Sequence, residues 1–157
     1  MLVSVSRADA ARLLLESVRY GVGRSGFLVE AICDAAEQLL RALTIAEADA
    51  VVVTIASGEE DALAWQADRD HWRRLCRQLQ DRTITGAPEQ VPLIGRDLAL
   101  LCACAERGAE SLEPAAQADV QALVARSRQL LPPEQQAVFD EIDIADAEID
   151  ARPVGRR

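Results

Sequence analysis

Ala50-Val51-Val52-Val53-Thr54-Ile55-Ala56 decides the fold class of this 157-residue chain. Read for its β-branched residues, the run is a buried strand, because Val, Ile and Thr lose rotamer freedom in a helix and pack well on a pleated sheet. Read with its surroundings, it is a helix. Ile45, Ala48, Val52, Ile55 and Ala56 recur at helical spacing, and Thr44 followed by Glu47 matches a capping box. The helical reading yields an all-α, single-domain bundle of six or seven helices. The strand reading yields an α/β arrangement whose small sheet uses 2–6 and 50–56, and it stands as the alternative.

Working outward favours helices on both sides. Ser6 and Asp9 form a capping-box pattern, after which Ala11, Leu14, Leu15 and Val18 keep a helical period as far as Gly21. A glycine-rich turn follows, and then Leu28, Ile32, Ala35, Ala36, Leu39, Leu40 and Leu43 form the longest apolar stripe in the chain. Ser57 and Glu60 suggest a third capping box, opening a fourth helix that runs to about Arg82 with Trp65, Trp72, Leu75, Cys76 and Leu79 on its apolar face. Acidic residues at its start and arginines toward its end complement the helix dipole.

Gly86, Pro88 and Pro92 mark a loop at 83–92. Leu93 to Arg107 is apolar nearly all round and reads as a central helix ending at Gly108. Pro114 suits a first helical position, and Val120, Leu123, Val124, Ser127 and Leu131 carry a sixth helix to Pro132 and Pro133. The expected seventh helix, Glu134 to Ala151, has a narrow seam of Val138, Ile142, Ala145 and Ile149 on an acidic body. Residues 1–151 therefore read as one helical domain and 152–157 as a flexible basic tail.

Composition narrows the class further. An apolar content of 50% excludes low-complexity disorder. The longest uninterrupted apolar run, Leu98 to Ala105, falls far short of the roughly 20 residues of a bilayer crossing. Met1 to Arg12 lacks the basic start and apolar stretch of a secretory signal, so the expected location is cytoplasmic and the cysteines are read as reduced thiols. All seventeen basic residues other than the lone histidine are Arg, with no Lys and no Asn, as a GC-rich bacterial or phage genome would produce.

The net charge of −9 is uneven. Residues 1–46 are neutral, 47–96 carry −3, 97–151 carry −9 and 152–157 carry +3. Such a field opposes binding to nucleic-acid backbones, whose affinity rests on Lys and Arg displacing counterions. It favours a partner protein with a basic surface.

Few constellations carry chemistry. Gly21-Val22-Gly23-Arg24-Ser25-Gly26 fits G-x-G-x-x-G, but the segment before it has helical spacing where a dinucleotide fingerprint needs a strand. Gly21, Gly23, Arg24 and Ser25 are therefore candidates for a small-molecule or nucleotide site only as an alternative to an interhelical turn. His71, the only histidine, follows Asp68 by three residues and would be the centre of any small acid–base enzyme. Cys33, Cys76, Cys102 and Cys104 include no C-x-x-C pair, and the acidic run lacks EF-hand spacing, so no metal and no cofactor are implied.

The leading functional expectation is a non-enzymatic interaction module: an adaptor, chaperone or inhibitor that binds another protein, with no membrane partner expected and self-association compatible with the sequence. Its candidate interaction residues are Asp140, Glu141, Ile142, Asp143, Asp146 and Ile149 on the acidic seventh helix, together with Trp65 and Trp72.

Overall fold

The computed structural model describes residues 1–22, 27–58, 62–81 and 88–138. Within these, the protein is an all-α bundle with one two-stranded sheet: β1 (Leu2–Ser6), α1 (Arg7–Gly21), α2 (Phe27–Glu37), α3 (Ile45–Gly58), α4 (Ala62–Asp81), β2 (Gln90–Ile94), α5 (Gly95–Gly108), α6 (Pro114–Arg128) and α7 (Pro133–Val138), with a 3-10 turn at Ala109–Ser111. No described helix is long and apolar enough to cross a membrane.

The decisive run is helical, so the alternative sheet using 50–56 is corrected. Thr44 and Glu47 make the full reciprocal cap: Glu47 N–H donates to Thr44 Oγ1 at 3.1 Å and Thr44 N–H donates to Glu47 Oε1 at 2.9 Å. Val51 and Ile55, one turn apart, are buried, and Thr54 satisfies its hydroxyl on the Ala50 carbonyl at 2.8 Å. A cap plus one buried face outweighs the modest helical disfavour of β-branched residues. Ser57 does not open the next helix. It lies inside α3 and donates to the Val53 carbonyl at 3.0 Å.

Leu2–Ser6 is a strand, but its partner is Gln90–Ile94, antiparallel, with Val3 opposite Leu93 and Ser4 opposite Pro92. The expected helix start at Leu93 and the loop end at Pro92 are corrected accordingly: β2 takes 90–94 and α5 begins at Gly95. The physical reason is period-two burial, with Val91 and Leu93 inward and Gln90, Pro92 and Ile94 outward. The second apolar stripe also breaks sooner than expected. α2 stops at Glu37, and Gln38 to Leu43 turns through bonds such as Ala42 N–H to Leu39 C=O at 3.0 Å, which frees Thr44 to cap α3.

α5 is the core, as its all-round apolar sequence predicts, with Leu98 to Ala105 buried. α1 packs along it, and Ser17 Oγ donates to the Leu101 carbonyl at 3.0 Å. The two helices come close at Gly108, where an added Cβ would lie 2.8 Å from the Glu16 carbonyl oxygen and 3.2 Å from Tyr20 Cβ. Gly108 ends α5 in right-handed geometry and continues into the 3-10 turn, so close approach rather than a left-handed cap explains the glycine. The Ser6 cap is half made. Asp9 N–H donates to Ser6 Oγ at 3.5 Å, while the Asp9 carboxylate is held by Arg126 of α6 at 2.9 and 3.1 Å.

Candidate functional site: an acidic cleft between α2 and α5

A cleft of about 280 Å³ opens between α2 and the start of α5, lined by Phe27, Glu30, Ala31, Asp34, Arg96, Asp97 and Leu100. Its α2 wall follows from spacing, because Phe27, Glu30, Ala31 and Asp34 fall at i, i+3, i+4 and i+7 on one helix face. Its α5 wall depends on the fold. Gln38, in the turn after α2, accepts from Ile94 N–H at 3.0 Å through Oε1 and donates to the Asp97 carboxylate through Nε2. One amide side chain thus ties the β2–α5 junction to the end of α2 and aims Asp97 at the cleft.

The rim carries Glu30, Asp34 and Asp97 against one arginine, Arg96, while Ala31 and Leu100 supply apolar wall. Phe27, which lines the cleft, is 44% exposed and gives it an aromatic edge. Carboxylates around an apolar, aromatic-edged hollow suit a cationic side chain, whose stem packs on the wall while its head meets the acids.

The candidate residues from sequence fall elsewhere. Trp72 is fully buried against α1 and α2 and its indole nitrogen has no hydrogen-bond partner among the described residues, so it serves the core and offers no docking surface. Trp65 lies on α4 with its side chain outside the described residues, and Asp140, Glu141, Ile142, Asp143, Asp146 and Ile149 also lie outside them. Gly21, the last residue of α1, is buried. A Cβ there would sit 2.8 Å from Ile32 Cδ1 and 3.1 Å from the Trp72 ring, so packing accounts for this glycine. Gly23, Arg24 and Ser25 lie outside the described residues.

His71 and Asp68 do meet, with Nδ1 to Oδ1 at 3.2 Å, at a point where Asp68 leaves helical geometry with φ −132° and ψ 25°. The Cys33 thiol is unsuited to join them. Cys33 Sγ donates to the His71 carbonyl at 3.9 Å, and burial pushes its thiol up to about 12 against the opposing pull of Arg74. Cys102 and Cys104 are buried in α5, and burial likewise pushes Cys104 up to about 12. No group of three or more His, Cys, Asp or Glu side chains is placed to hold a metal ion among the described residues.

The reading from sequence missed the cleft. Its α2 half is available as Phe27, Glu30 and Asp34 at helical spacing, but the stripe of Leu28, Ile32, Ala35 and Ala36 is the stronger apolar signal in that segment. Arg96 and Asp97 carry no local signal, because what brings them to α2 is the Gln38 side chain, far away in sequence. No protein-family model, curated protein or solved structure matches this chain.

Proposed function

We propose that this protein is a non-enzymatic, cytoplasmic protein–protein interaction module of a bacterial or phage system, acting as an adaptor, chaperone or inhibitor on a partner with a basic surface. The observation that carries this reading is the acidic cleft: three carboxylates against one arginine, with an exposed phenylalanine and an Ala31–Leu100 wall. An arginine or lysine side chain of the partner enters it. The guanidinium meets Glu30, Asp34 and Asp97, and its stem lies along Leu100 and Phe27.

The chain's net charge of −9, concentrated in 97–151, supports this by steering a basic surface toward the molecule before contact. The acidic residues Asp140, Glu141, Asp143 and Asp146, with Ile142 and Ile149, extend the same chemistry along the C-terminal sequence.

A short arginine-containing peptide, titrated into isotopically labelled protein, tests the reading. The expected result is saturable amide shifts at Ala31 and Leu100, weakened several-fold both by Glu30→Gln with Asp34→Asn and by Phe27→Ala. The Phe27→Ala arm separates the cleft from the general field, because it leaves every charge in place. Shifts spread over the acidic surface and untouched by Phe27→Ala would overturn it.

A further inference from the structure

The two edges of the small sheet are unlike. Bonds from Gly95 N–H to the Met1 carbonyl and from Arg7 N–H to the Glu89 carbonyl, both at 2.9 Å, place the odd-numbered residues of β1 in the hydrogen-bonded pairs with β2. The even-numbered residues of both strands therefore turn their backbone groups outward. On the β2 side, Pro92 has no N–H and Ile94 N–H is taken by Gln38 at 3.0 Å, so that edge is blunted.

On the β1 side nothing equivalent occurs. The N–H and C=O groups of Leu2 and Ser4 and the N–H of Ser6 point away from β2, and no described residue bonds them. Leu2 is 67% exposed, and Met1 and Ser4 are exposed beside it. The strand has no charge, no proline and no bulge, which are the usual guards of an edge.

We propose that β1 is a self-association edge, on which a second copy of this chain lays its own β1 antiparallel about a two-fold axis at Ser4. Three observations select a second copy as the occupant. First, the central Val3-Ser4-Val5 reads the same in both directions about Ser4, so Ser4 meets Ser4 and Val3 meets Val5 on the inner face, with Leu2 opposite Ser6.

Second, that register supplies every one of these outward groups except the Leu2 N–H. The two Ser4 residues exchange a pair of bonds, and each Ser6 N–H reaches the other copy's Leu2 carbonyl. Third, two copies of a chain at −9 repel, yet Met1 to Ser6 carries no charged side chain, and Arg7, the next residue, is paired with Glu47. The strand is thus a face where two copies of an acidic chain meet without opposing carboxylates.

The product is one four-stranded sheet, β2-β1-β1-β2. A five-residue strand with Met1 and Leu2 is small beside the roughly 1,600 Å² of a standard interface, so dissociation falls in the micromolar range or weaker.

Sedimentation equilibrium of the full chain across a wide concentration range tests this. The expected result is a mass rising from that of a monomer toward twice that value. Ser4→Pro removes an outward N–H, as Pro92 already does directly opposite, together with the exposed Ser4 Oγ bond to Gln90 Oε1 at 3.2 Å; it leaves the backbone ladder between β1 and β2 intact and holds the mass at the monomer value. Ser4→Lys places two ammonium groups on the axis and does the same, and it decides the matter if Ser4→Pro fails to fold. A monomer at every concentration, or a folded Ser4→Lys protein that still dimerises like the parent, would overturn the proposal.

Discussion

Glu16, whose side chain is fully buried on α1, accepts from Arg19 Nη1 at 2.8 and 2.9 Å and lies 3.2 Å from Arg12 Nε. The carboxylate is inside and both guanidinium groups reach solvent, so the arginines act as a lid that keeps a buried charge compensated. Replacing Arg12 and Arg19 together with Ala strands that charge, and about 3 kcal/mol of stability is expected to go. Glu16→Gln, which removes the charge and keeps the shape, costs clearly less. Urea unfolding of the variants at pH 7 gives the comparison, and equal losses would contradict the lid.

Gly21→Ala is expected to destabilise by about 1–3 kcal/mol, because the new methyl meets Ile32 and Trp72 in a packed interior. Trp72 reports the change directly. Its emission is expected to shift to longer wavelength, and a variant as stable as the parent would show that α1 can move away from α4 freely.

Glu47 answers to pH. Burial raises its pKa, but the Thr44 N–H, the Arg7 guanidinium and the Thr44 hydroxyl together bring it below its ordinary value of 4.5. A carboxylate with a depressed folded pKa adds stability that is complete above 4.5 and is lost as pH falls through the folded value. The gap in stability between the parent and Glu47→Gln is therefore expected to be widest near neutral pH and to close below 4.5. Thermal unfolding at a series of pH values reads it, and a gap that widens in acid would reverse the sign.

The four thiols are expected to react in two classes. Cys33 and Cys104, held near 12 by burial, and buried Cys102 wait for unfolding, while Cys76 is half-exposed and reacts first. A disulfide reagent at pH 8 should titrate one thiol quickly and the remainder only in denaturant. Rapid modification of two or more in the native protein would show that α2 or α5 opens.

What could be read without the fold was local. Thr44 and Glu47 cap each other across three residues, and Leu98 to Ala105 is apolar on every side, so a cap and a buried helix were legible. Ser57 and Glu60 have the same spacing as Thr44 and Glu47, yet Ser57 is spent on Val53. Spacing states that a cap can form and leaves open whether the preceding helix continues through it. Val91 and Leu93 supply only two turns of period-two alternation, and their partner strand lies at the other end of the sequence, so β2 was hidden by contact distance along the chain.

The amino-acid sequence by itself determined the helical class, the buried faces of α1, α2 and α5 and the sign and place of the charge, because these depend on neighbours within a turn or two and on simple addition. Only the tertiary structure decided what meets what. Gln38 binds Ile94 and Asp97, Glu30 and Asp34 face Asp97 across a cleft, and β1 pairs on one side with β2. These relations join residues many positions apart, and no local propensity encodes them. They arise when the apolar faces of α1, α2 and α5 are buried together.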